Sequence, residues 1–323
     1  MALRLLCWCV VLASAFAGAT QALAQSWPSK PIRVIIPFGA GSATDIIPRI
    51  VFEPLSAQLG QPIVVENRVG AGGTLGTGAV AASEPDGHTL LAHSNAHTVS
   101  PAVYSKLAYD PAADFAGITP FGAVPNVLII APAKGIKTIQ ELVAASKAKP
   151  GTFNFASIGV GSGTHLSVEK FKLRSGFDAQ HIPYKGGPEA LTDVIAGRVD
   201  VYFCPINTAL PHIREGRLIA LVTSATARIP ELPDVPTTAE AGYQNADFPV
   251  WIGLLAPAKT PRAIVEKLHA ETVKAIRLPA TQEKLGKTGV TPMILTPAEF
   301  DARIRAEIQA NGAVAKAAGI KPN

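Results

Sequence analysis

The chain has 323 residues, 48% of them hydrophobic, with 29 Lys and Arg against 24 Asp and Glu for a formal charge of +5. The positive residues are scattered rather than gathered into a run or an aromatic-interleaved stripe, which argues against a nucleic-acid partner. No segment reaches the ~20 apolar residues of a membrane helix, so stable membrane insertion is not expected.

Met1 to Ala24 reads as an export signal. Arg4 forms a short positive start, Leu5 to Ala17 is apolar, and Ala22-Leu23-Ala24 is an A-x-A cleavage motif, so maturation is expected at Ala24/Gln25. Cys7 and Cys9 leave with it, and neither follows a lipoprotein-like run. Only Cys204 remains, so no intramolecular disulfide can form. A Gram-negative periplasm suits such an exported, disulfide-free protein, as does secretion to the medium. About 300 residues remain, enough for one large or two medium domains.

Ile32–Ile36 has strand composition and is followed by Phe38-Gly39-Ala40-Gly41-Ser42-Ala43-Thr44-Asp45. Ile46, Ile47, Ile50, Val51 and Leu55 then recur at helical spacing, predicting a helix from Asp45 to Leu59. Ser42 and Asp45 are spaced as a capping box, and Pro48 falls early enough for a first turn. A strand, a small-residue loop and a helix start aim unpaired N–H groups at one spot, which favours a carboxylate or phosphate. An ordinary βα turn has the same local composition.

Further strands are predicted at 63–66, 89–92, 127–131, 154–157, 179–182, 199–203, 220–223 and 252–256. Helices are predicted at 73–82, 139–147, 165–175, 188–196, 208–215, 261–276 and 297–317. The alternation predicts α/β layers on mostly parallel sheets. After strand 89–92 comes His93-Ser94-Asn95-Ala96-His97, short polar residues at a strand's carboxyl end, where open α/β sheets bind ligands. Two histidines four apart suggest a metal, but no Asp, Glu or Cys with ligand spacing accompanies them, and a hydrogen-bonding pocket wall is the better reading. Gly70 to Gly76 superficially resembles a dinucleotide fingerprint but lacks its spacing and its acidic partner.

A second loop of the first kind is Ser157-Ile158-Gly159-Val160-Gly161-Ser162-Gly163-Thr164-His165, between strand 154–157 and a helix. Ser162 and Thr164 offer cap oxygens and hydroxyl donors. Two anion cradles far apart in sequence suggest a cleft with one jaw from each domain, although packing alone also produces glycine-rich turns. Pro183-Tyr184-Lys185-Gly186-Gly187-Pro188 opens another helix; Lys185 is either a ligand contact or a solvated surface charge. Ser162 with His165 lacks a G-x-S-x-G elbow, and Cys204 among apolar neighbours reads as a buried thiol rather than a nucleophile.

These motifs resemble the substrate-binding proteins of the tripartite tricarboxylate transporter family, the TctC or Bug proteins. The resemblance runs through Trp27 to Ile32, Val64 to Gly73, Pro85 to Leu91, Tyr109 to Phe115, Gly161 to Leu166, His181 to Gly186, Leu232 to Thr237, Glu240 to Gly242 and Ala256 to Pro261. It implies a periplasmic-binding-protein-like (type II) α/β fold with two domains, 25–126 plus 250–323 and 127–249, joined by two crossovers around a ligand cleft. It further implies a monomeric, non-enzymatic receptor for a small carboxylate that serves membrane permease subunits and needs no cofactor or metal. Carried onto this chain, the ligand-binding residues are Phe38, Gly39, Ala40, Gly41, Ser42, Asp45, Asn95, Ala96, His97, Ser157, Gly161, Ser162, Thr164, Pro183 and Cys204. Many members carry consecutive glycines where Gly41-Ser42 stand, and an acidic residue near Cys204 that can meet a ligand amine. A thiol cannot supply that charge, which points to a carboxylate without an ammonium group. A ligand sensor for a signalling partner would share the binding chemistry; an exported hydrolase would need a nucleophile at Ser162 or Cys204.

Overall fold

The structure, a computed structural model, describes residues 27–320 and Pro322; the segment read as an export signal, with its cleavage point, lies outside them. The elements in chain order are β1 (Ile32–Ile36), α1 (Ala43–Leu59), β2 (Ile63–Asn67), α2 (Thr74–Ala81), β3 (Thr89–Ser94), α3 (Ala96–Val103), β4 (Phe115–Val124) and β5 (Asn126–Ile130). They continue with α4 (Ile139–Ala148), β6 (Asn154–Ser157), α5 (Gly163–Ser175), β7 (Gln180–Pro183), α6 (Gly187–Ile195), β8 (Val201–Pro205), α7 (Ile206–Arg214) and β9 (Ile219–Thr223). The last are β10 (Val250–Pro257), α8 (Arg262–Arg277), α9 (Pro279–Lys287) and α10 (Pro297–Ala317).

Two five-stranded sheets share one plan, ordered β2-β1-β3-β10-β4 and β7-β6-β8-β5-β9. In the first, β1 pairs in parallel with β2 and β3, while β10 runs antiparallel to β3 and β4. In the second, β6 pairs in parallel with β7 and β8, while β5 is antiparallel to β8 and β9. Each sheet is therefore mixed, because one strand enters it from the far lobe in the opposite sense. The chain crosses between the sheets twice, through Pro125 and through the stretch from β9 to β10.

Burial explains the composition of the central strands. Of Ile32, Val34, Ile35 and Ile36 none has exposed surface, since helices cover both faces of the sheet. On α1, Ile47, Val51 and Leu55 repeat every four residues and pack with Val34, Leu90, Leu254 and Leu268. Each such side chain contributes about 1.5–3 kcal/mol of burial, so a Val51→Asp change would unseat the helix. α1 starts two residues before the expected Asp45 and holds Pro48 and Pro54 within it, and Gly60 ends it in the left-handed conformation at φ 68°.

After β10 the chain returns to the first lobe. Phe300 on α10 meets Trp251 on β10 edge to face at 4.9 Å, and it fills the space where Gly117 and Gly253 lack side chains. The parallel strands of both sheets end toward the same interlobe space. Open α/β sheets bind ligands at that end.

Candidate functional site

The first jaw is the turn from β1 to α1, and a buried carboxylate braces it. Asp45 accepts from the Gly41 N–H at 2.9 Å, from Arg49 Nε at 2.8 Å and from Asn67 Nδ2 at 2.9 Å. Asn67 Nδ2 also donates to the Phe38 carbonyl at 2.9 Å, tying the loop to the end of β2. Burial raises the Asp45 pKa, but the bonds from Asn67, Gly41 and Arg49 and the guanidinium charge outweigh it and leave the carboxyl below its usual range. The expected capping box is not formed. Ser42 is the N-cap at φ −72°, ψ 161°, yet its side chain makes no cap bond, because Asp45 turns back to Gly41 instead. Ser42 Oγ is buried and has no partner among the described residues. The Ala43 and Thr44 amides, in the first turn of α1, lie beyond reach of any intrahelical carbonyl.

The second jaw, from β6 to α5, rests on neutral groups. Ser162 caps α5, accepting from the His165 N–H at 3.2 Å and donating to the Gly159 carbonyl at 2.8 Å. Thr164 Oγ1 accepts from the Ile158 N–H at 3.2 Å. Beneath the loop, His165 Nδ1 accepts from the Gly161 N–H at 3.2 Å, while Ser157 Oγ accepts from the Gly159 N–H at 3.1 Å and bonds His181 Nε2 at 2.5 Å. The two imidazoles stack at 3.9 Å, with Phe155 against His181 at 4.9 Å. Burial, reinforced for His165 by His181 and Lys172, holds His165 at about 3; burial and Lys172 hold His181 at about 4. Both rings are neutral at physiological pH, and His165 keeps a bare Nδ1 for the loop.

A cavity of about 260 Å³ opens between the jaws, below the ~300–1,000 Å³ usual for drug-sized ligands, so it suits a small solute. The first jaw lines it from Phe38 to Thr44, the second at Ile158 and Ser162 to Thr164, and the turn before α6 from Lys185 to Pro188. Ser94, Ala96, Val124, Asn126, Val250 and Ile252 add the first sheet and both crossings, and Tyr202, Pro205 and Thr208 close the far wall. The N-terminal ends of α1, α3, α5, α6 and α7 all reach this lining. Lys185 is the single charged residue in it, and it contains no carboxylate. Helix dipoles and one cation make the space favourable for an anion.

Of the residues expected at the site, Phe38, Gly39, Ala40, Gly41, Ser42, Ala96, Ser162 and Thr164 line the cavity. Asp45 and Ser157 lie behind it, each occupied in bracing its loop. Asn95 is buried behind Ala96, with Oδ1 only 3.0 Å from where a Cβ on Gly163 would stand. His97 turns away to bond the Pro111 carbonyl at 2.9 Å and packs on Phe115 at 4.9 Å; it is core, not wall. No group of three or more His, Cys, Asp or Glu placed to share a metal occurs among the described residues.

Gly161 touches the opposite lobe rather than the cavity: a Cβ there would fall 2.4 Å from Val103 Cγ2. Pro183 is exposed at the end of edge strand β7. Cys204 is buried, bonds Thr208 Oγ1 at 3.0 Å and reaches the cavity only through that residue; burial pushes its thiol to about 12. Ser162 Oγ meets the His165 backbone rather than its ring. Sequence reasoning missed Asn126, Tyr202 and Thr208, and placed Ser94 only within the polar run after the expected strand 89–92. The available signal was Asn126 itself, a lone amide after Pro125 between two apolar runs.

Two lobes on equivalent mixed sheets, crossed twice by the chain and closed around an anion-favouring cleft, define a solute-binding protein of the periplasmic type. Residues 47–320 match the model of the tripartite tricarboxylate transporter family receptor, TctC, and the chain belongs to that family. Protein BugT of Bordetella pertussis (strain Tohama I) is 36% identical over 300 residues, 92% of each chain. Among solved structures, R. palustris Rpa4515 with adipate is 30% identical with a TM-score of 0.85, over 92% of this chain and 100% of that one. MatC (Rpa3494) from Rhodopseudomonas palustris with bound malate is 32% identical with a TM-score of 0.82, over 90% and 100%. No helix among the described residues is long and apolar enough to cross a membrane.

Proposed function

We propose that this protein is an extracytoplasmic receptor that encloses a small carboxylate between its lobes and presents it to the membrane subunits of a tripartite tricarboxylate-type transporter. One observation carries the proposal: helix N-termini from both lobes converge on a cavity lined by a single cation and no carboxylate. The adipate and malate held by the two solved relatives support the same ligand class. In this reading the lobes are 25–126 plus 250–323 and 127–249, in keeping with the membership of the two sheets. The leader Met1–Ala24 directs the chain to the periplasm, where it works as a monomer.

The carboxylate would sit between the first-turn amides of α1 and α5, with the free Ser42 hydroxyl donating from one side. Charge-assisted bonds of this kind contribute about 1.5–3 kcal/mol each. A ligand that touches both jaws favours the closed arrangement over the open one, and closure is the state a membrane partner would read. Binding of this kind requires no cofactor, metal or covalent step.

A thermal-shift screen of the purified protein against linear, branched and aromatic carboxylates tests the proposal. A ligand at 100 times its dissociation constant adds about 2.7 kcal/mol and raises the melting temperature by a few degrees. A panel with no stabilising acid would count against it, as would a hit that substitutions in one jaw leave untouched.

A further inference from the structure

Most of the cavity wall is aliphatic, glycine backbone or hydroxyl; one primary amide stands apart. Asn126 is the first residue of β5, at the shorter crossing between the lobes, and it lines the cavity while only 1% exposed. Its backbone carbonyl is occupied, accepting from the Ser224 N–H at 2.9 Å and from Thr223 Oγ1 at 3.1 Å. Neither Oδ1 nor Nδ2 of its side chain has a partner among the described residues. Buried amides are nearly always hydrogen-bonded, so an unpartnered one on a residue that lines a cavity points to a ligand group. Rotating the amide by half a turn exchanges its oxygen and nitrogen but still presents one donor side and one acceptor side.

A carboxylate has only acceptors to give. It can take the Nδ2 hydrogens, and it leaves Oδ1 bare. The missing piece is a donor on the ligand, and the two common kinds are an ammonium and a hydroxyl. An ammonium would meet Lys185 and five helix N-termini with no lining carboxylate to balance it, an arrangement that disfavours a cation. A hydroxyl brings the donor without the charge. We propose that the ligand is a hydroxycarboxylate whose hydroxyl pairs with the Asn126 amide while its carboxylate lies between the jaws. This rests on the carboxylate-receptor reading above and narrows it. Pairing the amide selects the hydroxy acid because the analogue without the hydroxyl leaves a buried acceptor unsatisfied.

The test is calorimetric titration of the purified protein with matched acids: malate with succinate, 2-hydroxyglutarate with glutarate, lactate with propionate, and mandelate with phenylacetate. Aspartate, glutamate, alanine and phenylglycine serve as the amine counterparts. In whichever series binds, the hydroxy acid is expected to bind at least about tenfold tighter than its partners. Asn126→Ala should weaken the hydroxy acid alone and bring each pair within about threefold. Equal affinity of hydroxy and plain acids overturns the inference while leaving the carboxylate receptor standing; so does tighter binding of the amine, or a preference that survives in Asn126→Ala. Silence from every acid overturns the receptor reading and the inference with it. The unmodified protein decides the hydroxyl preference even where the variant fails to fold.

Discussion

The two jaws share a plan and differ in what supports them. Both are strand, glycine-bearing turn and helix N-terminus, and both leave first-turn amides facing the cleft. The first is braced by an ionised carboxylate, Asp45, held low by Asn67, Gly41 and Arg49, and its turn is open to solvent at Gly39 to Gly41. The second is braced by two stacked neutral imidazoles and is buried from Gly161 to Glu169. The amides that meet an anion come from helix geometry alone. The support beneath them is a separate choice, and it decides how each jaw tolerates acid and substitution.

The largest effect should come from wedging the jaws apart. Gly161→Val places a branched side chain into Val103 of the other lobe, where even a Cβ would come within 2.4 Å at a φ of +78°. Overpacking costs about 1–3 kcal/mol against the closed form, so calorimetry should show affinity falling by about tenfold to a hundredfold. A loss of twofold or less would mean that the lobes do not meet there. Removing the charged brace comes next. Asp45→Ala frees the Gly41 amide and leaves Arg49 only its bond to Asn67 Oδ1, and denaturant unfolding should register a loss of about 1.5–3 kcal/mol.

Acid should separate the two supports. His165 is held near 3 in the fold and titrates near 6.5 when free, so below pH 6.5 the unfolded chain takes up a proton that the folded chain refuses. Stability is thus full above pH 6.5 and falls as pH drops toward 3, by about 2 kcal/mol at pH 5 from this residue. His165→Gln, beside His181, Glu169 and Lys172, should lose that much less than the parent between pH 7 and pH 5. An unchanged pH profile would refute the neutral brace. Asp45 behaves in the opposite sense: its contribution is present above its free value of 3.8 and goes only as pH falls through its lower folded value. Acid therefore reaches the second jaw first.

Smaller effects should come from single hydroxyl and thiol groups. Ser42→Ala removes one free donor and should weaken acid binding by about 0.5–1.5 kcal/mol, while an unchanged affinity would place the ligand away from that hydroxyl. Cys204→Ala should leave affinity within about twofold. With its thiol pushed to about 12 by burial, native Cys204 should resist iodoacetamide at pH 8, where the unfolded chain reacts.

The jaws were legible because strand, glycine turn and helix start form a local signal that needs no knowledge of the partner lobe. Asp45 was legible as close to the site but not as its brace, since that role depends on Asn67 arriving from β2. β4 escaped notice because Gly117, Pro120 and Gly122 interrupt its strand pattern. The structure places Pro120 beside a register shift against Gly253 and packs Phe300 and Val290 over the two glycines. α3 carries Thr98, Ser100 and Pro101, weak helix formers that tertiary burial overrides. His97 read as a wall residue because its strand-end position was visible, whereas the core formed by Tyr109 and Phe115 around it was not. Asn126 became meaningful only once both crossings had been brought to one cavity.

The most direct test is a crystal structure of the protein with the tightest-binding acid from the titrations. The account predicts that one carboxylate lies within hydrogen-bond distance of first-turn amides of both α1 and α5. A carboxylate bound to one lobe alone, or an acid seated outside the cleft, would contradict it.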